Sequence, residues 1–316
     1  MKAATRSKSV DTVAIVGSGV MGRGIAVACA AKGVKVRMVD VDKAALKRAV
    51  GVVADAVSTL SKFRVISEPR SVQRRISMHA NFREGLESAQ LVIESVPEDM
   101  ELKKKVFVDL DKLADPTAIL ATNTSGLSVS KIASATGRRE KVVGIHFFAP
   151  AYILKTVEIV RGRKTSDGTI EFSRRFAKQI GKVPIVVERD RRNFVVNSIQ
   201  FAMIKEAQKL LRKGVVGSIA EVDKAIRDSF SVRQSVFGLF LDSDLISPYS
   251  SLTHPGREGF STNYRYEKSP KELIRIRDES LLRLLRTLEE LRKVELGKVE
   301  PLLSFAPNTR KPQETS

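Results

Sequence analysis

A glycine-rich turn near the start of the chain has the spacing of a phosphate-binding turn. It follows the apolar run 13–16 and precedes the helix-forming segment 25–32. A strand, a G-x-G-x-x-G turn and a helix in this order are typical of a dinucleotide-binding βαβ unit. Gly17 permits the tight turn, Gly19 lets the backbone approach a pyrophosphate, and Gly22 lets the helix lie close to the strand. The residues predicted to bind the pyrophosphate, with the free N–H groups of the helix N-terminus, are Gly17, Gly19, Val20, Met21 and Gly22.

An acidic residue ends the next strand-like run. The apolar pattern 34–39 leads to Asp40, 23 positions beyond Gly17. A carboxylate there accepts hydrogen bonds from the adenosine ribose hydroxyls and repels a 2′-phosphate. This context predicts NAD as the cofactor. A strand-to-helix turn that binds no ligand is the alternative.

The chain has only three histidines, and histidine is the usual base when a secondary alcohol loses a hydride. His146 directly follows the strand-like run 142–145. The ligand crevice of an open α/β sheet lies outside the carboxyl ends of its strands, so His146 is the candidate base. His79 lies in an arginine-rich stretch and His254 in a stretch rich in Ser, Pro and Gly, and both are predicted to be surface residues.

Glu158 stands alone among apolar neighbours in the strand-like run 156–160. Burying an unpaired carboxylate is costly, so such a residue usually needs a partner. Pairing with His146 would stabilise the imidazolium and fix its tautomer. A packed histidine with an outward-facing glutamate is the alternative.

The elements that position these residues alternate between strands and helices up to about residue 187, which predicts a doubly wound sheet. A charged connection, 188–193, then leads into an almost wholly helical pattern. We therefore predict an α/β fold with an all-α C-terminal domain. The predicted divisions are a tail at 1–10, an NAD-binding domain at 11–189, a helical domain at 190–305 and a tail at 306–316.

Composition excludes some classes of protein. No apolar run is long enough for a membrane span, the start lacks the apolar core of a secretory signal, and a single cysteine permits no internal disulfide. These features predict a cytoplasmic protein. The net charge of +19 is compatible with a solvated basic surface, with attraction of a polyanionic substrate, or with nucleic-acid binding. Lys and Arg are spread over the whole length without interleaved aromatics, so we predict neither a nucleic-acid nor a membrane partner.

Several motifs together resemble the L-3-hydroxyacyl-CoA dehydrogenase family, in which a Rossmann domain precedes a helical dimerisation domain. The resemblance extends from Val13 to about Leu291. It implies a homodimer and a role in fatty acid metabolism. The matching stretches are 17–26, 94–99 with 102–103, 123–127, 144–148 with 157–158, and 194–197.

The resemblance also implies a role for each polar residue of the candidate site, and no metal. His146 would be the general base that takes the hydroxyl proton, and Glu158 would orient it. Ser125 and Asn197 would hold the substrate oxygen. The residues implied to line the cofactor site are Glu98, Lys103 and Asn123, with Asp40 at the adenine ribose. A solvated Lys103 and an Asn197 that only caps a helix are the alternatives.

Departures from the family pattern leave the substrate open. Ala149 replaces the usual Asn of His-Phe-Phe-Asn-Pro, Asn193 replaces a usual Gly, and Ser198 a common Arg. The segments 96–107 and 275–283 resemble the subgroup of lambda-crystallin and L-gulonate 3-dehydrogenase, which oxidises free 3-hydroxy acids. The helix-forming segment 43–63 is also apolar where contacts to coenzyme A are expected.

We expect an NAD-dependent dehydrogenase of an L-3-hydroxyacyl-CoA, because 123–126 and 146–148 follow that branch of the family. A dehydrogenase of a free 3-hydroxy acid such as gulonate is the second expectation. A non-catalytic, NAD-binding protein of the crystallin type is the third.

Overall fold

The computed structural model describes residues 9–239 and 270–292, which form two compact units that divide between Ala202 and Met203. The division lies within the helix that follows the charged connection, and the boundary expected at residue 190 stays a prediction. Some expectations lie outside the described residues. These are the tail at 306–316, all but the end of the tail at 1–10, the irregular segment 247–269 and His254.

The strands of the described part form one eight-stranded sheet in the order β3-β2-β1-β4-β5-β6-β7-β8. All neighbours are parallel except β6 and β7, which are antiparallel. The predicted doubly wound sheet is therefore confirmed. The strands are β1 (Thr12–Val16), β2 (Lys35–Val39), β3 (Ile76–His79), β4 (Leu91–Glu94), β5 (Ile119–Thr122), β6 (Val142–Phe147), β7 (Thr156–Val160) and β8 (Val183–Val187).

Helices cover both faces of this sheet, which is why its central strands read as continuous apolar runs. One core cluster contains the buried faces of α1, α2 and α7, and the other those of α5 and α6. The helices of this unit are α1 (Val20–Ala30), α2 (Lys43–Lys62), α3 (Pro69–Arg74), α4 (Phe82–Leu86), α5 (Met100–Leu113), α6 (Val129–Ala133) and α7 (Asp167–Gln179), with a 3₁₀ turn at Arg139–Lys141.

The arginine-rich segment 64–83, which carries His79, contains three regular elements. It contains α3, the strand β3 and the start of α4. β3 pairs only with β2, at the edge of the sheet, and its sequence Ile-Ser-Met-His has no apolar run that would signal a strand. His79 ends this strand with a partly exposed side chain. Its Nε2 lies 2.8 Å from Oγ of Ser77.

The rest of the described chain is helical, as predicted. The elements are α8 (Val196–Arg212), α9 (Ile219–Ala225), a π-helical segment (Ile226–Phe230), α10 (Ser231–Phe237) and α11 (Pro270–Arg292). None of the helices within 9–239 and 270–292 is long and apolar enough to cross a membrane. The same residues contain no group of three or more His, Cys, Asp or Glu side chains arranged to hold a metal ion.

Candidate active site

The glycine turn between β1 and α1 leaves backbone N–H groups free. Gly17 has a φ of +104°, and a Cβ there would lie 2.6 Å from the carbonyl oxygen of Ser95. A Cβ at Gly22 would overlap the carbonyl oxygen of Gly17, whereas Gly19 has open space around the same position. α1 has no acidic residue in its first turn and no side-chain cap. Its N–H groups are therefore available to an anion.

A groove with a cavity volume of about 1210 Å³ runs from this turn to His146. Its size and its open helix N-terminus fit a dinucleotide, since the three glycines leave no side chain between the backbone and the ligand. Gly22, Glu158 and Asn197 do not line it. The predicted site residues that do are Gly17, Gly19, Val20, Met21, Asp40, Glu98, Lys103, Asn123, Ser125 and His146.

Asp40 is held beside the glycine turn. Its Oδ2 accepts hydrogen bonds from the backbone N–H of Ser18 at 2.8 Å and from its hydroxyl at 2.7 Å. Its Oδ1 accepts one from the N–H of Asp42 at 3.0 Å. Oδ2 thus has both lone pairs engaged, whereas Oδ1 has room for a further donor. The position and remaining capacity of Asp40 fit a ribose hydroxyl.

His146 and Glu158 face each other across the antiparallel pair β6 and β7. Nδ1 of His146 lies 2.8 Å from Oε2 of Glu158, and both side chains are buried. Oε1 of Glu158 accepts hydrogen bonds from the N–H groups of Val195 and Val196, both at 2.9 Å. An ionised carboxylate only accepts, so Nδ1 is the protonated nitrogen and Nε2 is free to act as a base.

The contacts of Glu158 determine its ionisation. Burial favours its neutral form, but the hydrogen bonds from His146 and from the two backbone N–H groups outweigh burial and lower the pKa below its ordinary value. The imidazole of His146 also contacts two aromatic rings, with centroids 4.5 Å from Phe148 and 5.7 Å from Phe194. Glu158 and the two rings fix the orientation of the histidine.

Glu98 fixes the loop that carries Ser125. Its Oε1 accepts hydrogen bonds from the hydroxyl of Thr124 at 2.6 Å, from the N–H and hydroxyl of Ser125 at 2.8 and 3.0 Å, and from the N–H of Gly126 at 3.2 Å. Burial opposes ionisation, yet the hydroxyl of Thr124, the nearby Lys103 and the Ser125 donors lower the pKa of Glu98.

Two asparagines bring further segments to this loop. Asn197 lies within α8 rather than at its cap, and its Nδ2 donates to the carbonyl oxygen of Ser125 at 3.1 Å. Asn123 Oδ1 accepts a hydrogen bond from the N–H of Phe147 at 2.8 Å, next to His146. The structure thus brings Ser125 and Asn197 together, and it joins Asn123 to the strand that carries His146.

Lys103 is a buried residue, 1% exposed, and not a solvated one. Its ammonium donates to Oε1 of Glu94 at 2.7 Å and to the carbonyl oxygen of Val96 at 3.1 Å, and it lies 3.4 Å from Glu98. Glu94 received no role from the sequence. The signal was present, because Glu94 follows Leu-Val-Ile in a strand, just as Glu158 lies among apolar neighbours.

The comparisons with known proteins agree with this arrangement. Residues 12–191 match the NAD-binding domain of 3-hydroxyacyl-CoA dehydrogenase, and residues 194–278 match its C-terminal domain. The chain belongs to the 3-hydroxyacyl-CoA dehydrogenase family. It is an oxidoreductase, and its cofactor is NAD.

Relatives in this family carry several names. A 3-hydroxybutyryl-CoA dehydrogenase of Bradyrhizobium diazoefficiens is 35% identical over 69% of this chain and 74% of its own. A human lambda-crystallin homolog is 31% identical over 73% of each chain. Among solved structures, an (S)-3-hydroxybutyryl-CoA dehydrogenase of Ralstonia eutropha is 38% identical with a TM-score of 0.66, over 69% of this chain and 77% of that one.

Proposed function

We propose that this protein uses NAD to oxidise the 3-hydroxyl of an L-3-hydroxyacyl-CoA to a 3-ketoacyl-CoA, reversibly, with His146 as the general base. The observation that carries the proposal is the buried His146–Glu158 pair on the groove, with a separation of 2.8 Å. A base needs a fixed orientation and a free nitrogen, and this pair supplies both.

The proposal gives each residue of the site a role. Nε2 of His146 takes the proton of the 3-hydroxyl, and Glu158 stabilises the imidazolium that forms. NAD, when bound, supplies the acceptor for the hydride that leaves C3. Ser125 and the second N–H of Asn197 hold the substrate oxygen, while Glu98 keeps the Ser125 loop in place. In the reverse direction, His146 returns the proton to the 3-keto oxygen.

The acyl-CoA substrate is supported by two of the relatives, which are 3-hydroxybutyryl-CoA dehydrogenases. The apolar composition of α2 does not argue against it. The buried residues of that helix, from Leu46 to Leu60, belong to the core. Its exposed face begins with Lys43 and Lys47, which suit the phosphates of coenzyme A.

A free 3-hydroxy acid is the second candidate substrate. The human lambda-crystallin homolog matches as large a share of this chain as the acyl-CoA dehydrogenases do. The third reading, a protein that binds NAD without turnover, is less favoured. The residues proposed for catalysis are all present and in hydrogen-bonding contact with one another or with a positioning residue.

The test is a comparison of three substrates at matched concentrations. NADH oxidation with acetoacetyl-CoA is measured beside NAD reduction with L-gulonate and with L-3-hydroxybutyrate. The proposal predicts turnover with the thioester and little with the free acids. Turnover with a free acid and not with the thioester would favour a dehydrogenase of free 3-hydroxy acids. NADH binding without any turnover would favour a non-catalytic protein.

We also propose a homodimer formed through the helical domain. α8 has no buried residue, and its apolar side chains Ile199, Phe201 and Ile204 are each at least 44% exposed. Exposed apolar surface of this kind is typical of an interface. Sedimentation of the wild type at micromolar concentration should give a dimer, and Phe201→Asp should shift it toward the monomer. A monomeric wild type would refute the proposal.

A further inference from the structure

Arg23 is a charged residue of the groove, and none of the residues that the structure describes pairs with it. It lies on α1, four positions after the N-terminal Gly19, and lines the groove. Its Nε is buried and has no hydrogen-bond partner, and no ion pair of the described residues includes its side chain. Buried guanidinium N–H groups are rarely left unpaired, because burial removes their water without replacing it. An unpaired Nε at the groove therefore points to a ligand.

Two other cations of the groove have carboxylate partners, and a third, Lys105, is exposed to solvent. Arg48 pairs with Asp42 at 3.4 Å, and Lys103 pairs with Glu94 at 2.7 Å. Arg23 instead stands near the positive end of α1, where a cation is disfavoured. This corner of the groove thus combines a helix N-terminus with an unpaired guanidinium, and it suits an anion with several oxygens.

The position of Arg23 on the helix indicates which anion this is. Side chains of a helix lean toward its N-terminus, so we expect the side chain of Arg23 to lie over the turn formed by residues 19–22. That turn carries the free N–H groups that suit a pyrophosphate. We propose that Arg23 binds the pyrophosphate of NAD, adding a side-chain cation to the backbone contacts. The assignment does not depend on which substrate the enzyme oxidises.

The experiment measures binding by calorimetry rather than turnover. NADH and ADP-ribose both contain the pyrophosphate, whereas adenosine contains only the base and the sugar. Arg23→Met keeps the aliphatic length and removes the charge, and Arg23→Lys keeps the charge without Nε. Arg175→Met is the matched control, because Arg175 is an exposed residue of α7 outside the groove and its loss changes the net charge equally.

Arg23→Met should weaken the binding of NADH and of ADP-ribose by about 10- to 100-fold, the usual effect of losing a charge-assisted hydrogen bond. Adenosine affinity should not change, Arg23→Lys should recover part of the loss, and Arg175→Met should resemble the wild type. The ligand-free Arg23→Met protein should be as stable as the wild type or more so, since it loses an unpaired buried cation. A purely structural role for Arg23 predicts the opposite change in stability.

Three results would overturn the assignment. Unchanged ADP-ribose affinity would remove Arg23 from the pyrophosphate site. An equal loss for adenosine would show a general change of the groove. Unchanged NADH affinity with weaker binding of acetoacetyl-CoA would assign the guanidinium to an anionic group of the substrate instead.

Discussion

Two buried acid–base pairs border the groove, and they differ in whether a proton-accepting atom is left available to a ligand. Glu158 holds one ring nitrogen of His146 and leaves the other available. Glu94 receives Lys103, the N–H of Val96 and the hydroxyl of Thr122, each at 2.7 Å. Lys103 also donates to a carbonyl oxygen. The first pair can exchange a proton with a ligand, whereas the second can only hold its surroundings in place.

The two glutamates show how similar sequence settings lead to different electrostatics. Each lies in a buried strand, and burial disfavours its charge. At Glu94, burial prevails over Lys103 and the other donors, and it raises the pKa of the carboxyl. At Glu158, the hydrogen bonds prevail and the pKa is lowered. We infer that the Glu158 pair serves chemistry and the Glu94 pair serves architecture.

The largest effect expected from this comparison is on turnover. Glu158→Gln removes the charge that stabilises the imidazolium and offers an amide to Nδ1 of His146. Turnover should fall by about two to four orders of magnitude, while NADH affinity is kept. The same change at Glu94 should lower turnover much less. Steady-state kinetics of both variants test this, and equal losses would break the distinction between the pairs.

The second effect is on stability. Lys103→Met leaves the carboxylate of Glu94 buried without its cation, and this should lower the free energy of unfolding by about 3–5 kcal/mol. Lys104→Met removes a partly exposed lysine that pairs with the exposed Glu101, and it should change the free energy of unfolding by less than about 1 kcal/mol. Urea unfolding measures both. A double variant, Glu94→Gln with Lys103→Met, should recover much of the loss, and no recovery would argue against an uncompensated charge as its cause.

A third carboxylate, Asp40, extends the comparison to the glycine turn. Asp40→Ala should weaken the binding of NADH by about tenfold or more and that of NADPH by less, because only NADH keeps the free 2′-hydroxyl of the adenosine ribose. Ser18→Ala removes one hydrogen bond to Asp40 but keeps the carboxylate, so it should have a smaller effect. Calorimetric titration measures these affinities. Equal losses for the two cofactors would remove Asp40 from the ribose site.

The smallest effect concerns pH. A glutamate with a lowered pKa contributes stability above its unfolded-state value, and this contribution is lost as pH falls through the folded-state pKa. For Glu158 the loss should begin below the ordinary glutamate value of 4.5. The stability difference between wild type and Glu158→Gln should therefore shrink as pH falls below this value. The exposed Glu101→Gln is the control, and a constant difference for Glu158→Gln would contradict the lowered pKa.

The sequence was sufficient wherever one local pattern determined the structure. Apolar runs ending in turns predicted seven of the eight described strands, and the glycine spacing predicted the turn before α1. β3 was not predicted because it is four residues long, lies at the edge of the sheet and alternates Ser and His with apolar residues. Such an edge strand is stabilised by pairing with its neighbour, so its own composition need not predict it.

The candidate site was predictable where a residue type stood out from its surroundings. His146 and Glu158 did so, and their side chains are paired in the structure. Glu94 also stands among apolar neighbours, but its partner Lys103 is a lysine in a helix, and such residues are usually solvated. The sequence did not single out Arg23, because an arginine in a helix is common. Burial of these residues depends on the packing of distant segments, which no local pattern contains.

The most direct test of the central claim is a single variant measured in two ways. His146→Ala should bind NADH as the wild type does, because the ring contacts Glu158, Phe148 and Phe194 rather than the pyrophosphate turn. Its turnover with acetoacetyl-CoA should fall by about two to four orders of magnitude. Wild-type turnover in a variant that binds NADH normally would contradict the account, since the reaction would then use another base.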